Sequence, residues 1–201
     1  QVIVSNDRVS MTFDENTAEL VAWSYNGQPI LYPGKGAKYD NFRWIENEAP
    51  YTSKPYKELG SGHQVPDLFN FGSAPEVTTQ QNGQKVIVTA MNEGNVPNTL
   101  IYTIHADGTV LLDASFSYNS GKLRRLGVSM GFDRKYNNLD YTAKGPQENY
   151  VDRQEGSFFG RYKTVVDSNI VNYARTQTCG NRMSLRRLDL TDNEGNGFRV
   201  E

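Results

Sequence analysis

Hydrophobic residues along this chain recur at every second position more clearly than at every third or fourth, the spacing of strands half buried in a sheet. From Thr109 to Tyr118, Val110, Leu112, Ala114, Phe116 and Tyr118 share one face, while Asp113, Ser115 and Ser117 take the other. Val86, Val88 and Ala90 form one side of the run from Lys85 to Met91. Leu100, Tyr102 and Ile104 form one side of the run from Asn98 to His105. Between these runs stand Asn82-Gly83, Glu93-Gly94-Asn95-Val96-Pro97 and Asp107-Gly108. Asn-Gly and Asp-Gly readily supply the positive φ angles of tight hairpins. The pattern therefore predicts a four-stranded antiparallel meander from Glu76 to Tyr118.

Further strands are predicted over Val9–Phe13, Glu19–Tyr25, Arg125–Phe132, Leu139–Lys144, Met183–Asp192 and Phe198–Val200, with turns at Asn26-Gly27 and from Asp192 to Gly197. No helical stripe extends beyond a few turns. The segment from Tyr32 to Ala74 has no clear period and is rich in Gly, Pro, Lys and aromatic residues. It reads as a long functional loop or cover with room for a short strand. With 201 residues, 37% of them hydrophobic, the chain can bury a real core. The expected fold is all-β, with residues 1–201 forming one β-sandwich domain. A chain that opens on Gln1 and stops at Glu201, directly after a hairpin signal, reads as a fragment of a larger multidomain protein, since a sandwich ended there leaves a strand edge unpaired.

Charge narrows the choice of partners. Twenty-one Lys and Arg against 23 Asp and Glu give a net charge of -2, which offers no electrostatic reason to expect nucleic acid or an anionic membrane. No apolar run approaches the roughly 20 residues that a bilayer-spanning helix needs. Cys179 is the one cysteine, so an internal disulfide and a cysteine-based zinc site are excluded. His63 and His105 leave little material for a transition-metal site. No metal and no cofactor are expected.

The densest chemistry lies in Gly145-Pro146-Gln147-Glu148-Asn149-Tyr150-Val151-Asp152-Arg153. Two carboxylates, two amides, a phenol and a guanidinium crowd a stretch that begins on a helix-breaking Gly-Pro. Glu148 and Asp152 are a tempting pair for glycoside hydrolysis, which needs two carboxyl groups roughly 5–10 Å apart. The favoured alternative has them bonding backbone amides or pairing with Arg153 or Arg161 to fix an irregular loop. His63 and His105 could act as acid and electrophile in an aldose 1-epimerase with Glu148 as base. However, His105 directly precedes a turn, and His63 lies in an unpatterned loop. The rings Tyr32, Tyr39, Phe42, Trp44, Tyr51 and Tyr56 could stack sugars, which would suit an independent carbohydrate-binding module. Packing is the favoured role for them. The basic groups Lys122, Arg124, Arg125, Arg186 and Arg187 fit a solvated strand face or interdomain salt bridges better than an anion site.

Three segments, in order, resemble the C-terminal domain of family 2 glycoside hydrolases of the β-galactosidase type. The first runs from Val9 to Leu31 and on to Asn41-Phe42-Arg43-Trp44. The second is Gly145 to Arg153, similar to the family's Gly-Pro-x-Glu-Asn-Tyr-x-Asp-Arg. The third is Tyr173-Ala174-Arg175-Thr176-Gln177-Thr178-Cys179-Gly180-Asn181-Arg182, with Thr176 and Thr178 where the family has Pro and Glu.

The resemblance implies a galactose-mutarotase-like antiparallel β-supersandwich, truncated at its C-terminus. It implies that the two catalytic glutamates belong to a separate (β/α)8 barrel of the same polypeptide, the expected partner of this domain. The parent reaction is then retaining hydrolysis of terminal β-galactosides, and this part is a non-catalytic support for the barrel. Trp44, Glu46, Asn47 and Glu48 would form a loop facing a bound galactoside. Asn41, Phe42, Gly145, Pro146, Glu148, Asn149, Tyr150, Asp152, Arg153, Gln177, Gly180 and Asn181 would be structural residues of the motifs.

Overall fold

The computed structural model describes residues 1–41, 76–93, 96–118, 125–174 and 177–201. It is all-β, as the alternation predicts, and no α-helix occurs among the described residues. No helix among them is long and apolar enough to cross a membrane. They fall into two units, one of residues 1–41 and 76–133 and the other running from Arg134 to Glu201.

The first unit contains two four-stranded antiparallel sheets. One is formed in order by β1 (Val2–Ser5), β2 (Val9–Phe13), β3 (Leu20–Tyr25) and β4 (Gln28–Pro29). After β5 (Lys38–Asp40), the second sheet is the meander β6 (Glu76–Asn82), β7 (Lys85–Asn92), β8 (Asn98–His105) and β9 (Val110–Phe116). The turns between β6 and β7 and between β8 and β9 fall at Asn82-Gly83 and Asp107-Gly108, where the Gly-containing signals place them. Gly108 has φ +95°, and a Cβ there would stand 2.4 Å from the Tyr25 ring, so both conformation and space require glycine.

The alternation decides which side is buried. Val9, Met11 and Phe13 on β2 point inward while Ser10 and Thr12 are half-buried. They join Leu20, Val88, Ala90, Leu100, Tyr102 and Ile104 in one apolar cluster that links both sheets as a sandwich. Phe13 meets Tyr102 edge to face, ring centroids 5.0 Å apart. Tyr39 on β5 ties in the meander, its hydroxyl donating to the carbonyls of Thr99 (3.1 Å) and Ser115 (2.7 Å). Burial pushes its phenol up to about 12.

Two details of this unit differ from the sequence expectation. The run expected over Arg125–Phe132 pairs as a regular strand only at β10 (Gly127–Ser129), against β5. Beyond it the chain follows residues 30–35 through single contacts, Tyr32 N to Gly131 O and Gly131 N to Lys35 O. β1 was not expected; Val2 and Val4 pack against the cluster from a strand of only four residues.

The second unit is one sheet of β11 (Asn138–Gly145), β12 (Phe158–Val165), β13 (Arg187–Thr191) and β14 (Gly197–Val200), ordered β12-β11-β13-β14. A 3-10 turn, Val166–Asn169, follows β12. β12 also escapes the sequence reading, because Phe158-Phe159-Gly160 breaks the alternation that marks its neighbours. β13 begins at Arg187 rather than Met183, since Ser184 takes φ 58° and interrupts the extended chain. Leu139, Tyr141, Ala143, Leu188 and Leu190 share one side of this sheet. Asp140, Lys163, Asp189 and Arg199 share the other.

Candidate functional site

The motif from Gly145 begins where β11 ends, with a cis peptide bond between Gly145 and Pro146. Gly145 lies beneath the Tyr162 ring, which would stand 3.0 Å from a Cβ added there. A Cβ added at Gly160 would likewise stand 3.1 Å from the Tyr162 hydroxyl. That hydroxyl donates to the Phe158 carbonyl at 2.8 Å. Past Pro146 the chain turns back against residues 178–183, and the side chains between form a hydrogen-bond network.

Asn149 is the centre of that network and is fully buried. Its amide nitrogen donates to the carbonyls of Lys144 (2.9 Å) and Gln147 (3.1 Å), and its amide oxygen accepts from Met183 N at 2.8 Å. Its backbone N–H donates to Asn181 O (3.0 Å), and its carbonyl accepts from Asn181 Nδ2 (2.6 Å). A buried amide is costly unless its groups are paired, and here they are paired by two stretches of chain, residues 144–147 and 181–183. This explains an asparagine at the position.

Glu148 is used the same way. Its side chain is 9% exposed, Oε2 accepts from Gly180 N at 2.6 Å, and Oε1 faces Arg153 Nη2 at 3.7 Å. Gly180 has φ +84°, which suits glycine and aims its N–H at the carboxylate. Oε1 is buried without a hydrogen-bond partner, as is Gln177 Nε2.

Tyr150 is 5% exposed and donates to Thr178 O at 2.9 Å. Tyr150 and Arg153 exchange backbone hydrogen bonds of 3.3 and 3.0 Å around a tight turn. Val151 and Asp152 stand exposed at its tip. The Arg153 guanidinium lies over the rings of Tyr150 (4.5 Å) and Tyr173 (5.6 Å).

The structure thus brings Gly145, Pro146, Glu148, Asn149, Tyr150, Arg153, Gly180 and Asn181 together and leaves Asp152 outside at the turn tip. Arg161, an expected partner for the motif carboxylates, pairs instead with Asp140 on the sheet. Asn41, on the other unit, is buried at 6% exposure. Phe42, Trp44, Glu46, Asn47, Glu48 and His63 lie outside the described residues. His105 ends β8, its N–H donating to Thr109 O at 2.9 Å.

Arg182 and Tyr141 carry more of the site than the sequence reading gave them. Arg182 donates to the Tyr141 hydroxyl (3.1 Å), the carbonyls of Gly180 (3.3 Å) and Asn181 (3.1 Å), and Asn169 Oδ1 (2.7 Å). The Tyr141 hydroxyl in turn donates to Pro146 O at 3.2 Å. Arg182 stood inside the quoted third motif, so the signal was present. Tyr141 was one alternating strand residue among many and carried none.

Chemically, this arrangement holds loops together. Its carboxylate accepts from the chain's own backbone, and its amide is saturated by neighbouring carbonyls and N–H groups. Among the described residues no group of three or more His, Cys, Asp or Glu is placed to hold a metal ion.

Residues 5–201 match the family model described as the beta-galactosidase small chain. The chain belongs to that family. It is 27% identical over 208 residues to a beta-galactosidase of Priestia megaterium, an alignment covering 98% of this chain and 19% of that protein. It is 24% identical over 205 residues to a beta-galactosidase of Streptococcus thermophilus, covering 96% of this chain and 19% of that protein. A third beta-galactosidase, from Lactococcus lactis, is 32% identical over 90 residues, which span 44% of this chain and 9% of that protein. The small-chain segment thus spans about a fifth of the length of the first two relatives.

Proposed function

We propose that this chain is a non-catalytic module of a longer β-galactosidase, supporting a catalytic barrel elsewhere in that polypeptide and shaping the entrance through which substrate reaches it. The longer protein would carry out retaining hydrolysis of terminal β-galactosides with carboxylates that this module does not supply. One observation carries the reading. In the most chemically endowed motif of the chain the buried polar groups Asn149 and Glu148 bind the chain's own backbone, Asn149 wholly buried and Glu148 holding the Gly180 N–H, while Asp152 stands at an exposed turn tip. A residue that must exchange protons with a substrate needs an accessible, unoccupied atom within reach of it, whereas a structural loop needs the opposite.

The test is hydrolysis of a chromogenic β-galactoside by the isolated chain and by the longer polypeptide. Turnover is expected from the longer polypeptide and none from the chain alone. Activity above blank in the isolated chain overturns the proposal.

A further inference from the structure

The charged side of the β12-β11-β13-β14 sheet is organised in cross-strand rows. One row reads Lys163, Asp140, Asp189 and Arg199 across all four strands, and the next sets Arg161, Thr142 and Arg187 side by side. Asp140 and Asp189 are directly opposite one another, an arrangement that repels unless each charge is neutralised. Arg161 grips Asp140 with two donors, at 2.7 and 2.6 Å, and Lys163 stands 3.5 Å away. Arg187 and Arg199 both bind Asp189, Arg199 through Nε at 2.7 Å and Arg187 through a close contact. These hydrogen bonds hold both carboxyls below the usual carboxylate range.

The two kinds of charge differ in depth. The carboxylates of Asp140 and Asp189 are 19% and 18% exposed, while Arg161, Lys163 and Arg199 are 55%, 77% and 52% exposed. Arg161, Lys163 and Arg199 therefore stand above two sunken anions, with Arg187 set lower at 30% exposure; counted with Glu201, four cations face three carboxylates and leave a surplus of one positive charge. Glu201, 3.7 Å from Arg199, lies at the rim. The carboxylates take the Nε and Nη2 donors of Arg161, Arg187 and Arg199, which fixes each guanidinium plane. On the same side of β12, Phe159 and Val165 are 57% and 38% exposed, one at each end of the basic stretch.

We propose that this face docks a carboxylate-rich protein surface elsewhere in the same longer polypeptide, an inference that rests on the module reading above. Charge sign selects an acidic partner, since the surplus is positive on a chain whose net charge is -2. Pre-oriented arginine forks match carboxylates and lose little freedom on binding. The flanking Phe159 and Val165 need an apolar surface to cover them, which a folded protein supplies and a small anion does not. Relatives five times as long have chain enough for such a surface outside this segment, which is 19% of their length.

The experiment uses the longer polypeptide. Lys163 acetylation is compared in native protein and in urea, and a carbodiimide then joins touching amines and carboxylates for identification by mass spectrometry. Loss of native acetylation at Lys163, with a cross-link from Lys163 to an Asp or Glu outside residues 1–201, is the expected result. Equal acetylation in both states, or cross-links only to Asp140 or to a second copy, overturns the docking surface. β-Galactosidase activity of the same preparation separates the two readings. An active polypeptide with freely modified Lys163 sinks only the docking surface. An inactive one with protected, cross-linked Lys163 upholds it and sinks the catalytic assignment.

Discussion

The unit of residues 1–41 and 76–133 and the unit beginning at Arg134 hide their side chains in different ways. The first buries Met11, Phe13, Leu20, Val88 and Tyr102 in one apolar cluster between two sheets. In the second, the buried groups include Tyr141, Asn149 and Tyr150, each of which donates a hydrogen bond to a backbone carbonyl. Apolar burial is additive and tolerant of neighbours, about 25 cal/mol per Å² wherever it occurs. A closed polar network depends on every partner being present, because a group left behind costs more than its bond contributed. The first unit should therefore respond to lost volume and the second to lost partners.

The largest expected effect tests volume. Phe13→Ala removes a fully buried ring that packs on Tyr102, and should lower unfolding free energy by about 3–5 kcal/mol in a urea titration. A loss under about 1 kcal/mol breaks the comparison. Next comes the partner test. Asn149→Leu keeps most of the volume but strands the Met183 N–H and the Lys144 and Gln147 carbonyls, and should cost about 2–4 kcal/mol. Hydrogen exchange at the Met183 amide should accelerate while Val88 keeps its protection.

A third prediction concerns acid. Asp189 is held below its ordinary value by hydrogen bonds from Arg187 and Arg199. A carboxyl depressed on folding contributes stability that is present above its unfolded pKa, about 3.9, and is lost as pH falls toward the folded value. Stability followed by circular dichroism should therefore decline below about pH 4. In Asp189→Asn that part of the decline should be missing, and an identical acid profile in the variant would count against the ladder. The smallest effect has the opposite sign. The Tyr102 hydroxyl is buried without a hydrogen-bond partner, so Tyr102→Phe should be neutral or stabilising by up to about 1 kcal/mol.

How much of this could be read from the chain depends on the kind of force involved. The meander of β6 to β9 was legible nearly residue by residue, because period-two burial and turn chemistry are local signals. β12 was not, since Phe158-Phe159-Gly160 is shaped by its neighbours on β11 rather than by alternation. In the motif, backbone amides and Arg153 were named as partners of Glu148, but which amide was not. Gly180 lies 32 residues away, and nothing in either segment alone specifies the meeting. The swap of Arg161 from the motif to Asp140 has the same origin, because β12 had to be known before its register with β11 could place that side chain.

The Tyr162 ring resting over Gly145 and Gly160 has an evolutionary consequence. A methyl group at either glycine would press on the same aromatic plane from a different strand. The three positions are therefore coupled: an alanine at 145 or 160 asks the tyrosine ring to give way by a few tenths of an ångström, and a smaller residue at 162 removes that demand at both glycines.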